Sequence, residues 1–538
     1  MQGKRAFLKY MGNISTVLLL LALVTALAQV TDRIRVPYPV MLVMAGIIVG
    51  LIPGLPIVTL DSEVVFLLFL PPVLYAAAWN TSLTDFKEAA RPISLLAFGC
   101  VLFTTTLVAI VAHYFIPGFG WAESFVLGAI ISPPDAVAAT AATKAFKLPR
   151  RIITILEGES LVNDATGLIA YRYAIAAVAS GTFIFWLVAI NFIYVALVGI
   201  LIGFVVGVVF RWIHKITPNN AVTDTTFTLL APFTAYLAAE EIHTSGVLAV
   251  VTCGLFLSYY ASEIFDHRTR LQARAVWDTL IFLVNGIIFI LIGLQLPGIL
   301  DNIGHHSLSD ILWYGALISV ATIVVRLIWV FPGAYLPRWL SKNIRHTEKK
   351  PALGGVAVIG WAGMRGVVSL AAALALPLTI GDNLPFPNRD LIIFLTFSVI
   401  FATLVLQGLT LPLLIRWFNV KADDGHFKED KDARLQIAAA VIEHIEMNYA
   451  LSLSAEVLNQ VKSKYEIRIH RLHKDALARK LSDEEVHTFI QIQKELIRKE
   501  REEIQRLRQA KKSNEEVLRK IEYELDLEES RLMLELES

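Results

Sequence analysis

The chain has 538 residues, of which 55% are hydrophobic and only 18% are charged, and its formal net charge is +1. A soluble domain does not carry that much apolar sequence in long uninterrupted runs, and the near-neutral charge gives no indication of nucleic-acid binding. Both cysteines, Cys100 and Cys253, lie inside apolar segments. This placement argues against a disulfide framework or a metal site and predicts packing roles for both residues.

Apolar stretches of membrane-spanning length dominate the chain before residue 420. A hydrocarbon core about 30 Å thick needs roughly 20 apolar residues per helix. Thirteen stretches approach this length: residues 13–31, 37–52, 62–79, 92–115, 122–145, 152–178, 183–210, 222–240, 243–259, 275–296, 310–336, 352–380 and 389–418. We therefore predict an all-α polytopic membrane protein, with the transmembrane domain over residues 1–420.

The first stretch has features of a signal peptide. Lys4, Arg5 and Lys9 precede it, and Ala26-Leu27-Ala28 resembles a cleavage site. The run is long for a signal peptide, and another apolar stretch follows at once, so we predict that the first helix is retained.

Two of the predicted segments are interrupted near their middle. The fifth contains Ser-Pro-Pro-Asp at residues 132–135, and the twelfth contains Gly-Trp-Ala-Gly-Met-Arg-Gly at residues 360–366. Segments 1–6 and 8–13 form two halves that start on opposite sides of the bilayer, so the breaks correspond in an inverted repeat. Paired interruptions of this kind indicate the binding site of a secondary transporter, where freed carbonyls line a cavity.

The sixth segment carries Glu-Gly-Glu-Ser-Leu-Val-Asn-Asp at residues 157–164, in a helix predicted over about 152–178. An ionised carboxylate is costly in hydrocarbon, so acids within the membrane indicate function, most often ion or proton handling. Residues three, four and seven apart share a helix face. Glu157, Ser160 and Asp164 therefore lie on one face, and Glu159 and Asn163 lie on an adjacent face.

Asp135, at the first break, can meet the face that carries Asp164. Asp135, Asp164, Ser160 and a carbonyl near Pro134 would form a site of oxygen ligands only, which alkali cations such as Na+ prefer. Because desolvation penalises the charged form of a buried carboxylate, Asp164 can hold either a proton or a cation. If such a site faces one side of the membrane at a time, cation and proton must cross in opposite directions.

Two arginines within predicted membrane segments are candidates to balance the buried acids, Arg326 in the eleventh segment and Arg365 in the second break. We predict that they are counter-charges that hold the acids and the broken helix in register, with a structural role favoured over direct transport for Arg326. A net stabilising effect is not assumed, because desolvation of a buried ion pair can exceed the attraction. The sequence suggests no partner for Arg172, which follows Asp164 by two turns.

Basic residues in the short loops predict the orientation. With the C-terminus inside, the inside loops hold eighteen lysines and arginines and the outside loops hold one, Arg389. Because cytoplasmic loops carry an excess of such residues, we predict a cytoplasmic membrane location with the C-terminal domain in the cytoplasm. The basic N-terminal stub, which this arrangement places outside, is the exception.

Residues 421–538 are strongly charged and predict a cytoplasmic domain of about four helices, arranged as a bundle or coiled coil. Capping boxes stand at residues 482–485 and 513–516. Val517, Ile521 and Leu525 give the last helix an apolar stripe. A regulatory or dimerising domain is the alternative to a plain bundle, and no ligand is indicated.

Residues 157–164, together with 132–135 and with Trp-Ala-Gly-Met-Arg-Gly at 361–366, resemble the monovalent cation:proton antiporter-1 family. These are the sodium/proton exchangers of bacteria, archaea and eukaryotes, and the similarity is greatest to the bacterial branch with a helical C-terminal tail. The resemblance implies a homodimer of thirteen-helix protomers. Each protomer would have a dimerisation domain and a six-helix core domain that moves in an elevator-like way.

The resemblance also implies roles for individual residues of this chain. Family members with Asn before the essential Asp, as at Asn163-Asp164 here, usually exchange one cation for one proton and are electroneutral. The matched positions are Asp164 for the essential ion- and proton-binding aspartate, Asn163 for its motif partner, Ser160 and Asp135 for further cation ligands, Glu159 and Arg326 for a glutamate–arginine pair, and Arg365 for the arginine of the second crossing helix.

Two departures from the family pattern bear on cation selectivity. Ala76 follows Leu-Pro-Pro-Val-Leu-Tyr at a position where many members carry an acid, and Pro134 replaces the threonine that precedes Asp135 in many relatives. The carboxylate and the hydroxyl of those relatives are therefore absent here, although the carbonyl of Pro134 remains available.

The sequence thus predicts an electroneutral sodium/proton antiporter of the cytoplasmic membrane, without cofactor or ATP use, since no Walker loop is present. A potassium/proton antiporter is the nearest alternative, and Li+ is a further candidate cation. A gated cation channel is disfavoured because no loop resembles a selectivity filter. An enzyme is disfavoured because no nucleophile–base pairing or metal-ligand spacing occurs.

Overall fold

A computed structural model describes residues 20–29, 37–52, 65–143, 148–181, 185–217, 220–302, 307–347, 350–380, 384–420 and 424–449, with short stretches between 454 and 529. The chain divides into two compact units, Met1–Asp423 and Asp424–Ser538. The described residues are almost entirely helical, so the predicted all-α fold class is confirmed.

The N-terminal part of the first unit contains nine helices within the described residues. A π-helical turn, Val65–Phe69, precedes the third, and another, Leu95–Cys100, joins the fifth to the sixth. The helices are α1 (Leu20–Gln29), α2 (Tyr38–Gly50), α3 (Leu70–Asn80), α4 (Leu83–Glu88), α5 (Ala90–Ser94), α6 (Val101–Phe115), α7 (Trp121–Ile131), α8 (Ala136–Thr143) and α9 (Arg150–Ser180).

The remainder of this unit contains eleven described helices and one short hairpin. The π-helical turn Thr403–Gln407 joins the last two helices. The elements are α10 (Phe185–Ile216), α11 (Ala221–Glu241), α12 (Gly246–Ile264), α13 (His267–Leu294), α14 (Leu296–Asn302), α15 (Leu308–Leu340), α16 (Lys342–Thr347), α17 (Leu353–Trp361), α18 (Val367–Leu374), β1 (Thr379–Ile380), β2 (Leu384–Pro385), α19 (Arg389–Ala402) and α20 (Gly408–Trp417).

Local side chains fix where several of these apolar helices begin. The side chains of Ser245 and Asp266 accept hydrogen bonds from backbone N–H groups in the first turns of α12 and α13. These contacts satisfy donors that have no partner within the helix. Helix α9 ends at Ser180 and is followed by Gly181, whose φ of 67° is in the left-handed region that glycine adopts without strain.

Six helices of the described residues are long and apolar enough to cross a membrane, and four further apolar helices are shorter. The sequence-based count of thirteen spans therefore stays a prediction. Large apolar side chains project outward from the helix Ala189–Ile216, among them Leu197, Leu201 and Phe204. This exposure is typical of a helix that faces lipid.

Both predicted interruptions are present. Helix α7 ends at Ile131 and α8 starts at Ala136, while α17 ends at Trp361 and α18 starts at Val367. The prediction that the twelfth segment extends to residue 380 is wrong. Helix α18 ends at Leu374, shortly before Pro377, and β1 pairs antiparallel with β2. Proline lacks the backbone donor that a continuing helix would need.

The helices of the first unit pack in two groups. The first group is α5–α9 with α15 and α17–α20, and the second group is α2, α3 and α10–α13. Within each group, helices pack mainly against one another, as α6 and α9 do against α7, and as α10 and α11 do against α12. Contacts between the groups are sparser, and the two breaks lie on the side of the first group that faces the second.

The second unit begins with α21 (Asp424–Tyr449). Farther along, Arg501 bonds to Asp526 and Glu529 at 2.6 Å each, and Ile504 and Leu525 are buried together. The capping boxes at 482–485 and 513–516, and Val517 of the apolar stripe, lie outside the described residues, as do residues 13–19 and 30–31 of the predicted first segment. The number of helices and the role of this unit stay predictions.

Candidate functional site

The two breaks cross and bond to each other through their backbones. The backbone N–H of Asp135 donates to the carbonyl oxygen of Met364 at 2.7 Å. Pro133 and Pro134 cannot continue the hydrogen-bond ladder of α7, because neither has an N–H group. The chain therefore leaves the helix at this depth and finds its partner in the other break.

Arg365 lies where the carboxyl ends of two half-helices meet. Its guanidinium donates to the carbonyl oxygens of Ile131 and Ser132, at 2.9 and 3.3 Å, and also to that of Gly363. Its own backbone N–H donates to the hydroxyl of Thr403 at 3.1 Å. A cation at helix C-termini compensates the negative end of the helix dipole. Arg365 thus bonds to carbonyl oxygens at the end of α7 and in the second break, and its role as a counter-charge stays a prediction.

Asp135 lies where the amino ends of the other two half-helices, α8 and α18, meet. Its Oδ1 accepts a hydrogen bond from the backbone N–H of Val137 at 2.8 Å, in the first turn of α8. The carboxylate also lies directly over Gly366, where any larger side chain would collide with it. An acid is stabilised at helix N-termini by the positive end of the dipole. Asp135 and Arg365 therefore occupy complementary ends of the crossing.

Helix α9 packs directly on the first break. The side-chain amide of Asn163 donates to the carbonyl oxygen of Pro134 at 3.0 Å, and Asn163 is fully buried. One turn later, a Cβ added to Gly167 would lie 2.9 Å from the ring of Pro133. The absence of a side chain at Gly167 thus permits this close approach. The carbonyl of Pro134, predicted to face a cation, also serves to fix α9.

A cavity of about 400 Å³ lies between the two helix groups. Glu157, Ser160 and Asp164 of α9 line it, and so do Pro134 and Asp135 of the first break. Glu159 and Asn163 are not part of its wall, as expected for residues on an adjacent helix face. The cavity therefore brings together Asp164, Asp135 and Ser160, the three side chains predicted to bind the cation.

The cavity extends to Asp164 from the N-terminal end of α9. Its lining residues on α9 run from Asp164 back to Glu157 and include none beyond Asp164. Asn80, the last residue of α3, and Asp278, whose side chain is 73% exposed, line it as well. The cavity therefore opens toward the N-terminal end of α9 and is closed toward its C-terminal end.

The wall opposite Asp164 contains residues that the sequence reasoning missed. Tyr38 of α2 and Asn285 of α13 both line it, and Trp277 of α13 stacks on Tyr75. An isolated polar residue in an apolar segment is costly and could have indicated Asn285. Ala76, which stands where many family members carry an acid, also lines the cavity. The wall at this position is therefore apolar.

Glu159 and Arg326 form a buried, bidentate ion pair. The two guanidinium nitrogens Nη1 and Nη2 lie 2.6 and 2.8 Å from the two carboxylate oxygens, and both side chains are at most 2% exposed. Nη2 also donates to the carbonyl of Ile359 at 3.1 Å. The pair joins α9, α15 and α17 and does not line the cavity. Its position is therefore that of a contact that holds these helices together.

The candidate cation ligands at the site are oxygen atoms of Asp164, Asp135 and Ser160. Two carboxylates and a hydroxyl suit a hard monovalent cation, and no cluster of three or more His, Cys, Asp or Glu occurs in the described part of the chain. Cys100 and Cys253 are both buried and unbridged, in agreement with the packing roles that their sequence positions indicate.

Arg172, for which the sequence offered no partner, pairs with Glu240 of α11. Its Nη2 lies 2.7 and 2.9 Å from the two carboxylate oxygens, and the two side chains are 50% and 30% exposed. The residues are 68 positions apart, and no local pattern connects them. This pair joins a helix of the first group to a helix of the second.

Comparison with known proteins gives consistent matches. Residues 18–417 match the family described as "Sodium/hydrogen exchanger, transmembrane". An uncharacterized Na+/H+ exchanger of Mycobacterium tuberculosis is 33% identical over 97% of this chain and 97% of its own length. A sodium, potassium, lithium and rubidium/H+ antiporter of Bacillus pumilus is 33% identical over 78% of this chain and 63% of its own. The sodium proton antiporter MjNhaP1 of Methanocaldococcus jannaschii has the same fold, with a TM-score of 0.59 and 20% identity over 75% of this chain and 98% of its own.

Proposed function

Because the chain belongs to the sodium/hydrogen exchanger family, we propose that it is a secondary antiporter that exchanges Na+ for H+ across the cytoplasmic membrane. The observation that carries the proposal is the position of Asp164 in a cavity open at one end, with Asp135 and Ser160 in the same wall. A carboxylate held away from bulk water can be neutralised by a proton or by a cation. Competition between the two at Asp164 is sufficient for exchange.

The exchange is electroneutral, one cation for one proton. Asp164 is the carboxylate of the site without a competing structural role. The carboxylate of Asp135 accepts a backbone hydrogen bond at the start of α8, and the residue before Asp164 is an amide that bonds to Pro134. One acid that alternates between Na+ and H+ transfers no net charge per cycle.

The two helix groups support a mechanism of alternating access. The cation ligands belong to the first group, whereas Tyr38, Asn80, Trp277 and Asn285 of the opposite wall belong to the second group. An elevator-like displacement of the first group along the second would move Asp164 from one side of the membrane to the other. With the orientation predicted from the basic loops, the present cavity faces the cytoplasm.

The remaining features of the proposal follow from the family resemblance. The protein acts as a homodimer in the bilayer, with residues 1–420 as the exchanger domain and residues 421–538 as a cytoplasmic helical domain. The exchanger needs no cofactor, because the ion gradients supply the free energy.

Potassium is the second candidate cation. The Bacillus pumilus relative is named for transport of sodium, potassium, lithium and rubidium, and Ala76 leaves the site of this chain with one acid fewer than many family members. Fewer charged ligands weaken the preference for a small, strongly hydrated ion over a larger one. The site therefore remains compatible with K+ and Li+.

Transport in everted membrane vesicles tests the function. Added Na+ should dissipate a preformed pH gradient, and Asp164→Asn should abolish this response because the amide binds neither ion as a carboxylate does. Glu263→Gln, which lies away from the cavity, is the matched control and should retain the response. A response to K+ but not Na+ would establish the second candidate, and a current without proton flux would indicate a channel.

A further inference from the structure

The ion pair between Arg172 and Glu240 has no part in the proposed cation site. Arg172 belongs to α9, the helix that carries Asp164, and Glu240 belongs to α11. Both carboxylate oxygens accept from the same guanidinium nitrogen at 2.7 and 2.9 Å. A Cβ added to Gly246 would lie 3.2 Å from Oε1 of Glu240, so this carboxylate rests against the start of α12. Glu240 is therefore held by the second helix group.

The position of the pair along α9 is opposite to that of the cavity. The cavity extends from Asp164 toward Glu157, whereas Arg172 lies eight residues beyond Asp164 in the other direction. At a rise of about 1.5 Å per residue, this separation is about 12 Å. The pair is thus on the side from which Asp164 cannot be reached in this structure.

The layer between Asp164 and the pair is apolar. Ala165 and Leu168 of α9 pack in a cluster that also contains Tyr236 of α11 and Val247 of α12. A layer of this kind excludes water but has little directional preference. The ion pair, in which one guanidinium nitrogen bonds to both carboxylate oxygens, adds a directional, charge-assisted contact between the two groups at the outer edge of the layer.

We propose that Arg172 and Glu240 form a latch that closes the far side of the transporter while the cavity is open, and that this latch must separate in every transport cycle. The inference rests on the proposed alternating-access function and assigns its closed side to two specific residues. When the first group moves relative to the second, a bond between α9 and α11 cannot keep its geometry. The pair therefore biases the resting distribution toward the state described here.

The expected size of this bias is small, because the pair is partly exposed. Measured exposed ion pairs correspond to a factor of about two to five in an equilibrium constant. Loss of the pair should increase access to Asp164 from the far side by such a factor without removing the cation site. A small bias suits a latch, since a stronger one would slow each cycle.

A matched control exists within the second helix group. Arg211 of α10 and Glu263 of α12 form a partly exposed pair of the same kind, with nitrogen–oxygen distances of 3.0 and 3.2 Å. The proposal predicts no separation of this pair during transport, because both residues belong to one group.

Cross-linking tests the latch directly. Two double variants are made, Arg172→Cys with Glu240→Cys and Arg211→Cys with Glu263→Cys. Each is treated with a bifunctional methanethiosulfonate that has a short alkyl spacer. Cys100 and Cys253 are buried, so both native cysteines are kept in the variants. Wild type treated with the same reagent controls for reaction at these two cysteines. We expect the reagent to stop Na+-dependent proton movement in the first variant, with recovery on reduction, and to leave the second variant active.

A labelling experiment measures the bias. Leu168→Cys is introduced as a reporter, and its modification by a membrane-impermeant thiol reagent is followed from the side on which Arg172 lies. Arg172→Gln should raise the labelling rate about two- to five-fold, and Arg211→Gln should leave it unchanged. Exchanging the charges, Arg172→Glu with Glu240→Arg, should restore the slow rate.

The latch is overturned if the cross-linked variant at positions 172 and 240 exchanges ions as fast as before treatment. It is also overturned if cross-linking at positions 211 and 263 stops ion exchange to the same extent. An unchanged labelling rate in Arg172→Gln would also overturn it. These outcomes are separate from failure of the proposed function, in which the untreated wild type would show no Na+-dependent proton movement at all.

Discussion

The side-chain amide of Asn163 donates a hydrogen bond to the carbonyl oxygen of Pro134 over 3.0 Å, so the helix that carries Asp164 is bonded directly to the first break. Asn163 and Asp164 are neighbours in sequence but have different roles in the structure. The amide fixes the distance between two parts of the site, and the carboxylate faces the cavity. The Asn-Asp pair thus couples the geometry of the break to the position of the ion-binding acid.

Removal of this amide should loosen the site. Asn163→Ala leaves the buried carbonyl of Pro134 without its donor, which corresponds to a loss of about 1–3 kcal/mol in the free energy of unfolding. The apparent affinity for Na+ should fall in parallel, because Asp135 and Asp164 lose their common support. Thermal unfolding in detergent and exchange assays in proteoliposomes measure the two effects.

The control for Asn163 is Asn388, which donates to the carbonyl of Gly118 at the same distance of 3.0 Å. Asn388→Gly removes this bond and tolerates the left-handed backbone, whose φ is 54°. Na+ affinity should be unchanged in this variant. Equal losses of affinity in both variants would contradict a specific role for Asn163.

Disruption of the Glu159–Arg326 pair should affect folding before transport. Arg326→Ala leaves Glu159 buried and unpaired, which destabilises by about 3–5 kcal/mol. Folded yield, measured by size-exclusion chromatography in detergent, should fall more than apparent Na+ affinity changes. Replacement of both residues by apolar ones, Glu159→Leu with Arg326→Met, should restore part of the yield.

Arg501→Ala is a comparison for this pair, since its partners Asp526 and Glu529 lie in exposed positions of the second unit. We expect a stability change of about 1 kcal/mol or less there. If Arg326→Ala folded normally and only the Na+ affinity changed, the structural assignment of Arg326 would be wrong.

Substitution of Arg365 should distinguish charge from geometry. Its guanidinium reaches the carbonyl oxygens of Ile131, Ser132 and Gly363. A lysine ammonium is a compact point charge that cannot bond to all three carbonyl oxygens in this arrangement. Arg365→Lys should retain partial exchange activity and Arg365→Met should retain none. Equal activity of the two variants, at matched protein levels, would show that the positive charge at the helix ends is not required.

An acid introduced at Ala76 should strengthen cation binding. Ala76 lines the cavity, and Ala76→Glu would add a carboxylate to the wall opposite Asp164. At alkaline pH, where the added acid is ionised, the apparent Na+ affinity should rise by about tenfold, equivalent to about 1.4 kcal/mol. Ala76→Gln adds the same length without the charge and should not raise the affinity. A rise in the glutamine variant as well would exclude charge as the cause.

Electroneutrality is tested by the membrane potential. Exchange in proteoliposomes should proceed at nearly the same rate when the potential is clamped at zero or at an inside-negative value. This follows if Asp164 carries one Na+ or one H+ in each direction. A rate that changes systematically with the clamped potential would contradict the one-to-one stoichiometry.

The sequence alone determined the class of fold and the position of the two breaks, because these depend on local properties. Apolar runs of membrane length predict helices, and Pro133 and Pro134 interrupt one wherever they stand. Helical periodicity likewise placed Glu157, Ser160 and Asp164 on one face and Glu159 and Asn163 on another. The loss of helix after Leu374 was not foreseen, since the residues before Pro377 remain apolar and give no signal of a hairpin.

Only the tertiary structure decided which of these groups meet. Arg365 bonds to backbone carbonyls of a helix more than 200 residues away, and the sequence cannot show this because every residue has a carbonyl. The wall formed by Tyr38 and Asn285, and the pairing of Arg172 with Glu240, likewise depend on how the two helix groups are oriented. Local periodicity fixes the face on which a side chain lies, whereas its partner is fixed by the packing of whole helices, which is a property of the entire chain.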